Sequence, residues 1–389
     1  MALQIRLTRA DLLPIIAAAC VAWGIGVEHV HATSEPTPSL EAPSEAQRAV
    51  IRAAAGAPSR KRHVPGVLEW LPSVGGDKWF DNYLKTYGPP QTKCVVKFQG
   101  DDVSAASLGH YYLRHPVRGG RLVVEPECFV LATDAVPVDE LAKRNPTIVA
   151  QKALVNWDAY LVTGADRYRA RFLEHADALL ATQQDGRWDW RIDIPTRGLK
   201  APWISGLTQS QGISVLLRAH QLTGEVAYLD AATVALKWLH KPLARGGVAI
   251  RTPAGIWYEE YPNAEQPSHV LNGHIWALFG IWDYFRVTRD PKAARMFRRG
   301  VDLLKTEIAN FDVGYWVVYD QLNRVDMVNG FYMNFIIEQL KALHAITGDT
   351  AFERLARKWT GYQQRHTLFA RMAFDEYRKA TEAKSDKRQ

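Results

Sequence analysis

The chain holds only 3 cysteines in 389 residues, and neither Cys94 nor Cys128 has the CxxC or Cys/His spacing of a thiolate metal or redox centre. Cys20 would leave with the N-terminal segment. The other two sit in apolar, strand-like runs, KCVVKF and ECFVLA, where a disulfide in an oxidising compartment and two buried free thiols are both open readings. No HExxH, GxSxG or P-loop occurs, and His269 and His274 are not at a metal-ligand spacing. A lone histidine on a helix, such as His220 or His240, reads as packing. No metal and no cofactor is therefore expected. Nucleic acid is also excluded as a partner, since no basic aromatic module is present. The densest basic run, Arg60-Lys61-Arg62-His63, precedes Pro65 and reads as a solvated linker. The longest apolar stretch, Leu12 to Val27, is short for a membrane span and is broken by Pro14, Gly24 and Gly26.

Apolar residues make up 47% and charged residues 23% of the chain, an ordinary globular balance with ample length for a core. Thirteen Trp and 15 Tyr provide flat apolar faces with polar edges, which suit sugar rings, although most should fill the core. The net charge of +7 raises the local concentration of an acidic ligand.

Arg6 and Arg9 precede the apolar stretch, and Val30-His31-Ala32 offers small residues at a cleavage site. Residues 1–32 read as a signal peptide, with an anchor through residues 12–27 as the alternative. The expected location is periplasmic or secreted. Residues 33–65, rich in Pro, Ser, Ala and Glu, form a tether. Residues 66–140 carry short strand signals at Cys94 to Phe98, Leu122 to Glu125 and Phe129 to Ala132, hence a small β-rich domain. Residues 371–389 are a polar tail.

Over residues 145–370 the apolar period becomes helical. A phrase recurs at about 60-residue spacing: Thr163-Gly164, Thr223-Gly224, Thr288-Arg289 and Thr347-Gly348. Each pair lies between two amphipathic stretches and marks the C-cap and turn of a helical hairpin. Four hairpins imply a mainly α fold, a toroid of antiparallel helical pairs of the (α/α)-barrel kind. Three aromatic connections, Trp188 to Pro195, Gly246 to Pro262 and Gly314 to Arg324, should then gather at one rim.

The densest chemistry lies in the second connection. Trp257-Tyr258-Glu259-Glu260-Tyr261-Pro262 packs two carboxylates, two phenols and an indole between a turn and an apolar helix. That helix opens with Val270-Leu271-Asn272-Gly273. Upstream stands LK-x-x-W-x-S-x-x-x-Q-x-Q-x-I-S, from Leu199 to Ser214. Over roughly residues 185–365 these motifs resemble the C-terminal catalytic domain of the D-glucuronyl C5-epimerases, which convert glucuronate to iduronate within a heparan-type polymer. The resemblance implies a cofactor-independent uronyl C5-epimerase acting on a uronate-containing acidic polysaccharide. A polysaccharide lyase, which begins with the same proton abstraction, and a non-catalytic glycan-binding protein are the alternatives. A homodimer is an assembly the sequence admits.

By that resemblance Glu260 and Tyr261 are catalytic, as are Tyr319 in its Tyr-Asp segment and Tyr332 near the start of the last inner helix. Substrate contacts are expected from Trp203, Gln209, Gln211, Trp257, Glu259, Asn272, Arg324 and Arg191. Gln209 and Gln211 stand two apart and cannot share one helix face, so one should bind and the other cap. Three departures from the family pattern stand out. Arg324 is shifted from the position after Tyr-Asp-Leu, Gly330-Phe331-Tyr332-Met333 replaces a Trp-Asp-Tyr-His run, and Lys152 stands where an aromatic is usual. Arg191 and Arg251 are the other arginines considered for the substrate carboxylate.

Overall fold

The computed structural model describes residues 96–115, 117–118, 121–122, 136–314, 316–322 and 327–365. The expected signal segment, tether and polar tail lie outside the described residues, as do Cys94, Cys128, the strand expected at Phe129 to Ala132, and Arg324.

Nine helices are described: α1 Val138–Arg144, α2 Pro146–Thr163, α3 Asp166–Thr182, α4 Gly206–Thr223, α5 Val226–His240, α6 Leu271–Thr288, α7 Pro291–Glu307, α8 Gly330–Thr347 and α9, residues 350–365. Sequence dictates several starts. Asn145 accepts a hydrogen bond from Ile148 N at α2, Asp290 from Lys292 N at α7, and Asn329 from Tyr332 N at α8. Proline follows the first two caps, where its missing N–H costs nothing.

The recurring threonine phrase ends the first helix of each hairpin. Gly164, Gly224 and Gly348 take φ of 65°, 78° and 70°, and Arg289 takes 58° in the third copy. Each threonine hydroxyl donates to the carbonyl four residues back and accepts from the amide two residues on. Thr163 donates to Ala159 O at 2.7 Å and accepts from Ala165 N at 3.2 Å, and Thr223, Thr288 and Thr347 repeat the pattern. One side chain thus adds a second hydrogen bond to a helix carbonyl and satisfies the amide that reverses the chain.

The hairpins stack in two rows. Helices α2, α4, α6 and α8 pack side by side in chain order, while α3, α5 and α7 each pack on the outside of their own partner. Trp188, Trp257, Trp316, Trp359, Phe172, Phe279 and Phe352 are fully buried in the resulting core. A small β-rich domain does not emerge from the described part of residues 66–140. Strand there is limited to β1 Val117–Arg118 paired antiparallel with β2 Arg121–Leu122 and a single bridge between Lys97 and Arg114. The reason is that side chains of the helices, not neighbouring strands, satisfy this backbone. Trp157 Nε1 donates to Gly109 O (2.8 Å), Trp282 Nε1 to Val103 O (2.7 Å), and Arg286 to Ala105 O (2.7 Å) and Ser107 O (2.9 Å). These contacts fall on the C-terminal halves of α2 and α6, so residues 102–112 cover that end of the inner row.

The opposite end carries the aromatic connections. Strand β3 Ala249–Arg251 pairs antiparallel with β4 Ile256–Tyr258, with Ala249 opposite Tyr258. The hairpin therefore delivers Glu259, Glu260 and Tyr261 to the N-terminal ends of α4 and α6.

Candidate active site

The backbone around Glu260 is fixed before its side chain is considered. Glu259 N donates to Val248 O (2.8 Å), and Gly206 N, at the first turn of α4, donates to Glu259 O (2.9 Å). A β-carbon at Gly206 would run into that carbonyl. Glu260 is buried, and its carboxyl fills the space that a β-carbon at Gly273 would need in the first turn of α6. Its Oε2 has no hydrogen-bond partner among the described residues. Burial is the main force on this carboxyl and pushes it up to about 7, with Glu259 and Asp320 adding to the rise and the Tyr261 hydroxyl and Arg197 opposing it. The positive end of α6 lies on the side of the ionised form.

Around Glu260 stand phenols and one guanidinium. The Arg197 guanidinium lies 5.3 Å from the Tyr261 ring centre and 5.6 Å from that of Tyr319, and it forms an ion pair with the buried Asp320. Burial works against its charge, but Asp320 outweighs that and holds it ionised. The Tyr319 and Tyr332 rings meet edge to face at 5.6 Å. Burial, and then Glu260, hold the Tyr261 and Tyr319 hydroxyls well above the usual phenol range, so both remain proton donors. Arg197 is placed by a short turn, Pro195–Arg197, closed by Gly198 at φ 64°. The Asn263 amide donates to Arg197 O (3.0 Å) and occupies the space beside Gly198.

Of the residues singled out in sequence, Glu260, Tyr261, Tyr319 and Tyr332 come together here. Trp203 also borders the group: it stacks on Trp190 at 5.3 Å and tilts against Tyr261 at 6.0 Å. Gln211 on the second turn of α4 and Asn272 on the first turn of α6 are buried, each with an amide oxygen that has no hydrogen-bond partner among the described residues. Gln209 is corrected from substrate contact to scaffold, and it is not a cap either. Its oxygen accepts from Trp188 N (2.9 Å) and its nitrogen donates to Gly186 O (2.9 Å), so both ends of the amide hold one loop. Trp257 is likewise core, stacked between His274 at 4.0 Å and His269 at 4.9 Å. Glu259 turns away from the group, and its oxygens accept from Ser268 Oγ (3.0 Å) and His269 N (3.0 Å). Arg191 is exposed, and Arg251 donates to His240 O (2.7 Å) on the outer surface. Arg197 was missed: the aromatic connection was taken to end at Pro195, two residues short of it. The signal available was the Thr-Arg-Gly that follows this proline. Among the described residues no group of three or more His, Cys, Asp or Glu side chains is placed to hold a metal ion.

Fold and site together define a helical-hairpin protein with a buried acid–base cluster at the N-terminal ends of its inner helices. Residues 182–361 match the family described as D-glucuronyl C5-epimerase C-terminus, which supports placing this part of the chain in that family. It is 30% identical over 220 residues to the D-glucuronyl C5-epimerase of Caenorhabditis elegans, covering 51% of this chain and 35% of that protein. An uncharacterized protein of Methanocaldococcus jannaschii is 28% identical over 204 residues, covering 51% of this chain and 63% of that one. The chain thus spans less than two thirds of the length of these relatives. An unsaturated glucuronyl hydrolase from Streptococcus agalactiae superposes with a TM-score of 0.35 and 14% identity, over 81% of this chain and 85% of that one, a likeness too loose to bear on the reaction.

Proposed function

We propose that this site inverts C5 of glucuronate residues to iduronate within an acidic polysaccharide. The observation that carries the reading is the grouping of one near-neutral carboxyl, Glu260, with protonated phenols and the Arg197 guanidinium. Abstracting a proton α to a carboxylate builds further charge on an anion, so the site must supply a base, a cation for the enediolate-like intermediate and a second proton donor. In this reading the Glu260 carboxylate takes the C5 proton, and the C–H electron pair moves into the substrate carboxylate. Arg197 faces that carboxylate, the role expected of Arg324. A phenol then returns a proton to C5 from the opposite face, with Tyr332 in that role and Tyr319 beside it. Solvent exchange resets Glu260 and the phenolate. The steps use only residues of the chain.

The helical hairpins closing into a ring around this group would complete the (α/α) toroid. The +7 charge favours an acidic polymer, and export through residues 1–32 would place the enzyme outside the cytoplasm with such a polymer. The test is product analysis by NMR after incubation with a glucuronate polymer. Iduronate signals are expected. An unsaturated uronate would instead assign a lyase, and an unchanged polymer across several uronate substrates would leave a binding protein.

A further inference from the structure

Glu259 lies next to the proposed base, yet its carboxylate is committed elsewhere. It is fully buried. Oε1 accepts from His269 N at 3.0 Å, and Oε2 accepts from Ser268 Oγ at 3.0 Å and more loosely from His269 N at 3.3 Å. His269 takes φ 49°, the left-handed region that a histidine enters only at a cost. Its ring stacks on Trp257 at 4.9 Å, with Nε2 3.7 Å from Glu259 Oε1. A carboxylate from one side and an indole from the other thus hold a strained turn.

That turn is the junction of the site. Ser268 O accepts from Gln321 N (2.9 Å), and Tyr319 O accepts from Leu271 N (3.3 Å), so the Tyr319-Asp320 segment is tied to the turn and to the first residue of α6. Two residues further on, Gly273 abuts the Glu260 carboxyl. Through residues 268–273, one side chain fixes both the helix turn under Glu260 and the segment bearing Tyr319.

We infer that Glu259 is a positioning residue for the reaction, clamping the 268–269 turn so that Glu260, the first turn of α6 and Tyr319 keep their mutual register. This rests on the acid–base reading of Glu260. The charged and titratable groups around Glu259 are Glu260 beside it, Asp320 from the 316–322 segment and His269 from its own turn. Beyond these stand Arg197 and Tyr261 against Glu260, and Glu307 acting on His269. Burial lifts Glu259 to about 7 as well, so its ionisation and that of Glu260 oppose one another.

Glu259→Gln keeps the shape and the acceptor for His269 N but removes the charge. We expect KM within about twofold, kcat lower by roughly tenfold, and the acid limb of kcat/KM moved down by about one pH unit, because Glu260 then ionises without a neighbouring anion. Glu259→Ala, which also loses the clamp, should reduce kcat further; if it does not fold, Glu259→Gln decides. A KM rise of about tenfold at unchanged kcat would make Glu259 a substrate contact, and an unmoved kcat and pH profile would make it a bystander. Either overturns the inference. A readout independent of turnover is 13C NMR titration of the Glu260 carboxyl in the free protein. Its midpoint should fall in Glu259→Gln, and an unchanged midpoint contradicts the coupling. Wild-type protein inert on every uronate polymer would sink the proposed reaction and leave this titration still decisive for Glu259.

Discussion

Glu260 must be ionised to accept a proton, and burial lifts its carboxyl to about 7. The kcat/KM of the wild-type protein should therefore fall about tenfold per unit as pH drops below about 7. Glu260→Gln should lower kcat by roughly 100-fold or more while polymer affinity stays close to normal. The same shift has a stability signature of known sign. A folded-state pKa above the unfolded value means tighter proton binding in the native state, so its contribution is complete below about pH 4 and is lost as pH rises through about 7. Urea melts at pH 5 and pH 8 should show wild type losing on the order of 2 kcal/mol more than Glu260→Gln across that interval. Arginine chemistry gives a second residue-scale prediction. Arg197→Lys keeps charge beside Asp320 but loses the planar fork, so kcat/KM should fall about 30-fold with the fold intact. Arg197→Ala leaves Asp320 buried without its cation and should also cost about 3 kcal/mol of stability. In the proposed mechanism Arg197 and not Arg324 faces the substrate carboxylate, so Arg324→Ala should keep kcat/KM within about threefold. Steady-state kinetics on the three variants separate the two arginines.

At the level of elements, glycines and caps carry the predictions. Gly→Ala inside a helix ordinarily stabilises by about 1 kcal/mol, but at Gly273 the added methyl would occupy the place of the Glu260 carboxylate. Gly273→Ala should thus lower kcat by about tenfold or more, with at most a small change in Tm. Rates near wild type would mean that Glu260 does not work from this position. The third hairpin cap makes the opposite case. Arg289 sits at φ 58° where the other three copies have glycine, and Arg289→Gly should raise stability by about 1 kcal/mol, read from the urea midpoint. The cap phrase was legible because one threonine and one left-handed residue must recur wherever an equivalent hairpin turns. Side-chain direction was not legible. Gln209, Trp257 and Glu259 are the right residue types for a sugar site, yet the first is matched to the amide and carbonyl of Trp188 and Gly186. The other two point into the turn at His269. Only three-dimensional pairing distinguishes a polar group spent on backbone from one left for a ligand.

For the whole molecule, the inner helices have unlike ends. Residues 102–112 cover the C-terminal end through a buried network in which Asp283 binds Arg218 Nη1 at 2.7 Å and the Tyr112 hydroxyl at 2.7 Å. The N-terminal end gathers Arg197, Glu260, Tyr261, Tyr319 and Tyr332 from three connections and one helix start. The repeat period foretold that gathering, since equivalent connections of stacked hairpins must emerge at one end. The covered end was hidden because its partners lie up to 184 positions apart in sequence and show no shared periodicity. The central claim is that the cluster at the N-terminal end moves a proton on and off C5 of a uronate. It is tested most directly by incubating the full chain with a glucuronate polymer in heavy water and locating deuterium by NMR. Deuterium at C5 with wild-type protein, its loss with Glu260→Gln, and no unsaturated uronate in either is the predicted result. Iduronate formed without deuterium at C5, or label incorporated equally by Glu260→Gln, would contradict the account.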